Sequence, residues 1–172
     1  EILLERDEGI RGSILIEKLS EMKPAFLDDG VVTAGNASQL SDGASAVLVT
    51  SAEFAEQHGL TVYCTIRDYV TSGVEPERVM AAPIPAINAL LERNDLSVDD
   101  VDVFEHNEAF ASASCAVLAG VGIPEEKFNL HGGAVSIGHP IGTSGTRCYQ
   151  VPDRQFAFHQ YYVWQNQNQP SQ

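Results

Sequence analysis

The sequence predicts an α/β fold, and three observations support this prediction. Apolar runs typical of buried strands, such as Ala46-Val47-Leu48-Val49, alternate along the chain with helical patterns. Turns rich in glycine and proline separate these elements. Polar side chains gather where predicted strands give way to helices, which is where open α/β sheets place their ligand sites. We therefore expect a mainly parallel sheet with helices on its faces.

The first part of the chain predicts a connector followed by a strand–helix–strand unit. Residues 1–30 carry only a short helical pattern, and we interpret them as an ordered connector. Ser51 is a good N-cap for a helix over residues 52–58, because its hydroxyl can accept from a free backbone N–H. Residues 61–70, rich in β-branched side chains, would complete a βαβ unit with the apolar run that precedes Ser51.

Two further helices are predicted in the second part of the chain. The helix over residues 84–93 opens next to Pro83 and places its apolar residues on one stripe, which should pack on the sheet. Ser97 should cap a turn before a short strand at residues 101–104. A helix of small residues then covers residues 109–118 and should pack closely against its neighbours.

Composition and charge exclude several classes of protein. Ten Lys and Arg residues against 24 Asp and Glu give a net charge of -14, which argues against a nucleic-acid partner. No apolar run reaches the length that a membrane span needs. The three cysteines form no Cys-x-x-Cys pair, which favours a reducing, cytoplasmic interior over a disulfide framework. Because the chain begins at Glu1 rather than at methionine, we expect an upstream part, which could carry an organellar targeting signal.

The glycine-rich stretch at residues 131–147 is the strongest candidate for a functional site. Its glycines let the backbone come close to a ligand. Pro140 favours the start of a helix, which would place His139 at the helix N-terminus. A neutral imidazole there can donate or accept a proton. The nearby backbone N–H groups and the helix dipole favour an oxyanion. No Walker A sequence or dinucleotide fingerprint is present, which argues against nucleotide phosphate binding. Taken by itself, the stretch leaves a plain connector open as the alternative.

Four separated motifs, taken together, carry a resemblance. They are Pro24-Ala25-Phe26, Thr33-Ala34-Gly35-Asn36-Ala37-Ser38 with Asp42-Gly43-Ala44, Asn107-Glu108-Ala109-Phe110-Ala111, and Gly132-Gly133-Ala134 with Gly138-His139-Pro140-Ile141-Gly142. In this order they resemble the C-terminal half of the thiolases, the family of acetyl-CoA acetyltransferases and 3-ketoacyl-CoA thiolases. The resemblance covers about residues 7–147. It implies a thiolase-like half-domain with a mainly parallel sheet, incomplete at its C-terminus.

The resemblance also implies a division of the chain. Residues 1–30 would be a connector from a missing N-terminal half, and residues 31–147 a partial C-terminal domain. Residues 148–172 depart from the family pattern, and their polar composition predicts a disordered tail.

His139 and Asn107 are the catalytic residues that the resemblance implies. His139 matches the histidine that helps to activate a nucleophilic cysteine and contributes to the oxyanion hole. Asn107 matches the asparagine that holds a water in that hole. We expect Glu108, Gly138 and His106 beside them. The residues that match the coenzyme A channel are Phe26, Ala34, Ser38, Ala109 and Phe110, with Arg11 near the nucleotide end.

Both catalytic cysteines of the family lack a counterpart in this chain. Nothing resembles the Cys-x-Ser-Gly or the Cys-x-Gly-Gly-Gly motif, and we interpret Cys64 and Cys115 as buried. The predicted function is acyl-CoA thiolysis or Claisen condensation, in which this chain supplies the His/Asn half of the site and is inactive alone. Coenzyme A thioesters would be substrates, with no further cofactor and no metal. The expected partners are acyl-CoA, the missing N-terminal half-domain and, in the full-length family, a second copy.

Two alternatives stay open at the level of sequence. The chain could be a noncatalytic thiolase-like fragment or a module that binds a partner. It could also be a small metal-binding domain that uses His106, His131 and His139, although their spacing does not fit zinc ligands.

Overall fold

The structure, a computed structural model, describes residues 9–148 and the backbone of residues 162–164. The helices are α1 (Ile16–Ser20), α2 (Ala52–Gln57), α3 (Pro83–Arg93), α4 (Ala111–Val121), α5 (Ala134–Ile137) and α6 (Ile141–Arg147). The strands are β1 (Ile66–Tyr69) and β2 (Tyr162–Trp164), and short 3-10 helices cover Pro76–Ala81, Val98–Asp100 and Glu125–Lys127. No helix in this part of the chain is long and apolar enough to cross a membrane.

The hydrophobic core lies where α3 packs against α4. Leu90 of α3 and Val117 of α4 are completely buried, and Phe104 beside them is 1% exposed. Helix α4 comes close to α3 at Gly120, where a Cβ atom would lie 2.6 Å from Cδ1 of Ile84. The small residues of α4 therefore permit the close packing that the sequence predicts. The expectation that α3 packs on a sheet is wrong, since its buried face meets another helix.

The predicted parallel sheet is absent from the described residues. Their one ladder joins β1 to β2 in antiparallel register, with Tyr69 opposite Tyr162. Residues 46–49, predicted as a buried strand, form no strand, and Leu48 is 73% exposed. A strand needs a hydrogen-bonding neighbour. No backbone hydrogen bond joins residues 46–49 to another described segment.

The other predicted strands are shorter than expected. Only Ile66–Tyr69 of residues 61–70 form a strand. Residues 101–104 contribute a single parallel bridge, between Phe104 and Phe128. Residues 162–164, which lie in the tail predicted to be disordered, form strand β2. The remainder of that tail, except Cys148, lies outside the described residues.

The local signals for helix ends are confirmed. Ser51 caps α2, with the backbone N–H of Phe54 donating to its hydroxyl over 3.2 Å. Ser97 and Asp100 form a reciprocal capping box around the turn before residue 101. Helix α4 begins two residues later than predicted and ends at Gly122, whose φ of 80° is left-handed. Such short-range features depend on neighbouring residues alone, which is why the sequence predicts them.

Two isolated bridges hold the segments that carry the predicted site. In the first, Ala37 pairs with Phe110, and the N–H of Ser38 donates to the carbonyl of Ala109 over 2.9 Å. In the second, the N–H of Phe104 donates to the carbonyl of Lys127 over 2.7 Å. The extended segment at residues 104–110 is thereby fixed at both of its ends.

Candidate active site

The segment at residues 104–110 meets the glycine-rich stretch through backbone hydrogen bonds. The N–H of Ala134, the first residue of α5, donates to the carbonyl of Asn107 over 2.8 Å. The N–H of His139 donates to the carbonyl of Gln39 over 3.3 Å. Three separate parts of the chain therefore fix the positions of Asn107 and His139.

Side-chain hydrogen bonds determine which nitrogen of His139 carries the proton. Nδ1 lies 2.7 Å from Oγ of Ser144, and that hydroxyl donates to the carbonyl of Pro140 over 3.2 Å. Because the hydroxyl proton is used there, Nδ1–H donates to Ser144. Nε2 then accepts from Nδ2 of Asn107, which lies 3.1 Å away. The lone pair of Nε2 is the basic site of the imidazole.

The surroundings of His139 keep its imidazole neutral. Burial lowers the pKa of His139, and the nearby Arg147 cation lowers this pKa further. The guanidinium of Arg147 is itself oriented, because Nη1 donates to the carbonyl of Gly138 over 2.9 Å. A neutral imidazole can accept a proton and afterwards donate it. Helix α6 begins at Ile141 with Pro140 as its N-cap, one residue later than the sequence predicts, so His139 lies two residues before the helix.

Glu108 and Gly138 shape the backbone on both sides of the His139–Asn107 contact. Glu108 has a φ of 60°, and its side chain lies against Gly133, where a Cβ atom would collide with it. Burial raises the pKa of its carboxyl, and a backbone hydrogen bond at Val135 opposes this rise. Gly138 has a φ of 83°, and a Cβ there would collide with Ser41. Both glycines are needed for close approach.

His106 is held by four contacts on the other side of the segment. Its backbone N–H donates to Oδ1 of Asn129 over 2.6 Å. Its ring stacks on Phe128, with 5.8 Å between the ring centroids. Nδ1 accepts from the N–H of Glu108 over 3.2 Å and lies 2.9 Å from Oγ of Ser114. Burial lowers the pKa of His106 to about 4, so the ring is neutral at pH 7.

A cavity of about 400 Å³ lies in front of these residues. Its polar end contains Glu105, His106, Asn107 and His139. Its apolar walls come from residues 74–87 and from the two phenylalanines of the core, Phe104 and Phe128. A mostly apolar cleft with converging polar groups is the usual form of a small-molecule site.

Glu105 is a residue of this cavity that the sequence did not single out. Its side chain is 6% exposed, and Oε1 has no hydrogen-bond partner among the described residues. Burial raises the pKa of its carboxyl to about 7. The signal that could have found it is its place two residues before Asn107, since alternate residues of an extended segment share a face. Residues 72–83 also line the cavity and carried no motif that pointed to it.

The residues predicted for the coenzyme A channel are only partly brought together. Ala109 lines the cavity, and Phe110 and Ser38 lie beside it at the bridge to Ala37. Phe26, Ala34 and Arg11 are exposed and do not line the cavity. Their assignment to the channel stays a prediction.

The cysteines of the described residues are poor candidates for a nucleophile. Cys115 is exposed on α4, so the prediction that it is buried is wrong, and Cys64 is half-buried. Cys148 is buried, and burial together with the nearby Glu105 raises the pKa of its thiol to about 12. Among residues 9–148, no group of three His, Cys, Asp or Glu side chains could hold a metal ion.

Comparison with known proteins decides the family. The family model described as "Thiolase, C-terminal domain" matches residues 60–155, and "Thiolase, N-terminal domain" matches residues 1–53. The chain belongs to the thiolase family. The two matched ranges meet between residues 53 and 60, whereas the resemblance of the motifs implies a division after residue 30. The earlier boundary stays a prediction.

Relatives with known names span much more sequence than this chain. It is 47% identical over 146 residues to the peroxisomal 3-ketoacyl-CoA thiolase B of Rattus norvegicus. The aligned region covers 85% of this chain and 34% of the rat protein. It is 44% identical to a probable acetyl-CoA acyltransferase of Staphylococcus epidermidis, over 85% and 37% of the two chains. The chain thus spans about a third of the length of these thiolases.

Solved thiolase structures confirm a thiolase-like fold. The dimeric peroxisomal thiolase of Saccharomyces cerevisiae matches with a TM-score of 0.80 and 43% identity, over 84% of this chain and 37% of the yeast chain. Human mitochondrial 3-ketoacyl-CoA thiolase in complex with CoA matches with a TM-score of 0.79 and 40% identity, over 84% and 36%. These relatives are peroxisomal or mitochondrial, and the cytoplasmic location stays a prediction.

Proposed function

We propose that this chain supplies the histidine–asparagine half of a thiolase active site. The reaction would be acyl-CoA thiolysis or, in the opposite direction, Claisen condensation. The observation that carries the proposal is the contact between Asn107 and Nε2 of His139 at the polar end of the cavity. Its hydrogen bonds leave Nε2 as the basic nitrogen, which is the state that general-base catalysis requires.

The chemistry proposed for His139 has two steps. An attacking thiol gives its proton to the lone pair of Nε2, which makes the sulfur a thiolate. The new Nε2–H then donates to the oxyanion that develops on the thioester carbonyl oxygen. In condensation this oxyanion forms when the thiolate attacks the thioester carbonyl of acetyl-CoA. In thiolysis the thiolate attacks C3 of the 3-ketoacyl-CoA, the C2–C3 bond breaks, and its electron pair passes to the thioester oxygen of the acetyl-CoA enolate that leaves. Asn107 adds a donor to the same oxygen through a bound water, as the family resemblance implies. Ser144 keeps the ring oriented throughout, because it holds Nδ1–H.

The thiol itself would come from outside this chain. We propose that the N-terminal half-domain of a complete thiolase supplies the nucleophilic cysteine. The apolar walls of the cavity would take the acyl group, and the bound coenzyme A of the human relative supports an acyl-CoA substrate. The dimer of the yeast relative supports a homo-oligomer.

A noncatalytic role is the second candidate, and the cysteines favour it for the chain alone. The raised pKa of Cys148 leaves almost none of its thiol ionised at pH 7, and a thiol without a thiolate fraction is a weak nucleophile. The chain on its own would then bind acyl-CoA or a partner subunit without turnover.

A chimeric enzyme tests the proposal. The matching third of the rat peroxisomal thiolase is replaced by the 146 residues of this chain that align with it, so that the rat protein supplies the remainder of the site. We expect cleavage of acetoacetyl-CoA by the chimera and its loss in His139→Ala.

The control for the chimera is His58→Ala, which changes an exposed histidine outside the cavity. This variant should keep the activity of the parent. A chimera that melts cooperatively but does not cleave the C2–C3 bond of acetoacetyl-CoA would contradict the proposed function, as would full activity in His139→Ala.

A further inference from the structure

Asn129 lies where the parallel bridge between Phe104 and Phe128 ends. In that bridge the N–H of Phe104 donates to the carbonyl of Lys127, and the N–H of Asn129 donates to the carbonyl of Phe104 over 2.8 Å. If the parallel ladder continued, the N–H of His106 would next donate to the backbone carbonyl of Asn129. It donates instead to the side-chain oxygen Oδ1 of Asn129, over 2.6 Å. The side chain of Asn129 therefore replaces its own backbone carbonyl in the ladder.

The backbone carbonyl of Asn129 is used to turn the chain into the glycine-rich stretch. It accepts from the N–H of Gly132 over 2.8 Å, which closes a turn over residues 129–132. Asn129 has a φ of 46°, in the left-handed region that asparagine adopts more readily than most residues with a side chain. Its Nδ2 is buried beside Gly133, where a Cβ atom would lie 2.9 Å from it. One residue thus ends the pairing, starts the turn and keeps the hydrogen bond to His106.

The hydrogen bond from His106 bears on the candidate site because it holds the backbone next to Asn107. The carbonyl of Asn107 is held as well, since it accepts from the N–H of Ala134 over 2.8 Å. These two hydrogen bonds lie on either side of the Cα atom that carries the amide side chain. Nδ2 of that side chain is 3.1 Å from Nε2 of His139, and a contact of this length weakens steeply when its geometry is disturbed.

We propose that Asn129 is a positioning residue for the Asn107–His139 pair, because its Oδ1 keeps the side chain of Asn107 within reach of Nε2 of His139. This inference rests on the proposed function, since it gives Asn129 a part in that reaction. Asn129 does not line the cavity, so it acts through Asn107 and not on the substrate. Removal of this one acceptor should therefore disturb Asn107 and turnover while substrate binding is kept.

Asn129→Gly tests the inference in the full chain, because glycine keeps the left-handed backbone and lacks only the acceptor. Hydrogen exchange followed by NMR should show the backbone amide of His106 exchanging about tenfold faster in this variant. The amide of Val117 in the core should exchange as before, which separates a local loosening from a damaged fold. The 15N resonance of Nε2 of His139 should shift, because its contact with Asn107 loosens.

Two further variants serve as controls for these measurements. Asn129→Asp keeps an acceptor oxygen in either protonation state of the carboxyl, so both measurements should stay near their wild-type values. Asp95→Gly is the matched control, because Asp95 is an exposed residue whose φ of 53° is also left-handed. It should change neither measurement. Unchanged exchange at His106 together with an unchanged Nε2 resonance in Asn129→Gly would overturn the inference and leave the proposed function standing.

A double-mutant cycle in the chimera tests the route through Asn107. Asn129→Gly should lower kcat by about fivefold and leave KM unchanged, since a displaced Asn107 weakens binding of the transition state alone. In the Asn107→Ala background the same change should alter kcat by less than about twofold, because the residue through which Asn129 acts is gone. An equal fall in both backgrounds would overturn this inference alone. An inactive parent chimera would overturn the proposed function and the inference with it.

Discussion

Asn107 and His139 are 32 positions apart in the sequence, and Nδ2 of the first lies 3.1 Å from Nε2 of the second. The contact does not depend on the side chains alone. A backbone hydrogen bond from Ala134 to the carbonyl of Asn107 joins the two segments beside it. Substitution of either side chain should therefore change the chemistry of the site more than its architecture.

His139→Ala and Asn107→Ala should have unequal effects in the chimera. His139→Ala removes both the base and a direct oxyanion donor, so we expect kcat to fall by about a thousandfold or more. Asn107→Ala should lower kcat by about tenfold, because Asn107 acts through a bound water. KM should change little in both variants, since the lost interactions belong to the transition state. Steady-state kinetics with acetoacetyl-CoA measures both constants, and an equal fall would contradict the separate roles.

Ser144→Ala should lower kcat of the chimera by about tenfold, because Nδ1–H of His139 loses its acceptor and the ring loses its orientation. The control is Ser136→Ala, because the Ser136 hydroxyl donates to the carbonyl of Gly133 and the side-chain hydrogen bonds of His139 go to Asn107 and Ser144 instead. The pH profile of kcat should shift in Ser144→Ala and not in Ser136→Ala. Identical profiles would show that Ser144 does not tune the imidazole.

The chain alone should not cleave acetoacetyl-CoA. Thiolysis through an acyl-enzyme needs a thiolate, and the pKa of about 12 keeps Cys148 protonated at neutral pH. Turnover by the purified chain that disappears on replacing Cys64, Cys115 or Cys148 with serine would disprove this prediction.

Glu105 and His106 should make opposite contributions to the pH dependence of stability. The pKa of Glu105 is raised from 4.5 to about 7, so its contribution is present below pH 4.5 and is lost as pH rises through 7. The pKa of His106 is lowered from 6.5 to about 4, so its contribution is present above pH 6.5 and is lost as pH falls towards 4. The two slopes offset each other between pH 4.5 and 6.5.

Single substitutions should separate the two contributions to the pH dependence of the free energy of unfolding. In Glu105→Gln, the free energy of unfolding should decrease on acidification across this window by up to about 1.4 kcal/mol per pH unit. In His106→Leu, it should instead decrease as pH rises. Urea unfolding at several pH values measures these slopes, and parallel curves for the two variants would contradict the assignment.

The isolated chain should self-associate. Leu40 is fully exposed, and Phe26 and Leu48 are each 73% exposed. Many other large apolar side chains of the described residues are exposed as well. So much exposed apolar surface is unusual for a monomer. Leu40→Ser combined with Leu48→Ser should raise the monomer fraction in light scattering. Asp29→Ser, a change at an exposed polar residue, is the control. A sharp cooperative melt from a wild-type monomer would count against the prediction.

Features that depend on neighbouring residues were predictable from the sequence. The cap at Ser51, the end of α4 at Gly122 and the helix after Pro140 all follow from local backbone chemistry. The sheet was not predictable in this way. An apolar run such as residues 46–49 has the composition of a strand, but pairing depends on segments far away in the sequence.

The same distinction applies to the candidate site, where residues in local motifs were predictable and a residue placed by tertiary packing was not. His139 and Asn107 carried motifs, and the structure brings them together. Glu105 carried no motif, because a glutamate in sequence is most often a solvated residue. Only tertiary packing buries it and places its carboxyl on the cavity.

The bridge between Ala37 and Phe110 joins the range matched by the N-terminal family model to the range matched by the C-terminal one. Backbone hydrogen bonds flank this bridge, from the N–H of Ser38 to the carbonyl of Ala109 and from the N–H of Ala111 to the carbonyl of Asn36. They hold the two ranges together independently of the chain that connects them. Limited proteolysis at the exposed residues 47–50 would therefore give a nicked protein, whose two pieces migrate together on a native gel and separate only in denaturant. We therefore expect that the border between the two matched ranges is a border in sequence and not one along which this molecule comes apart.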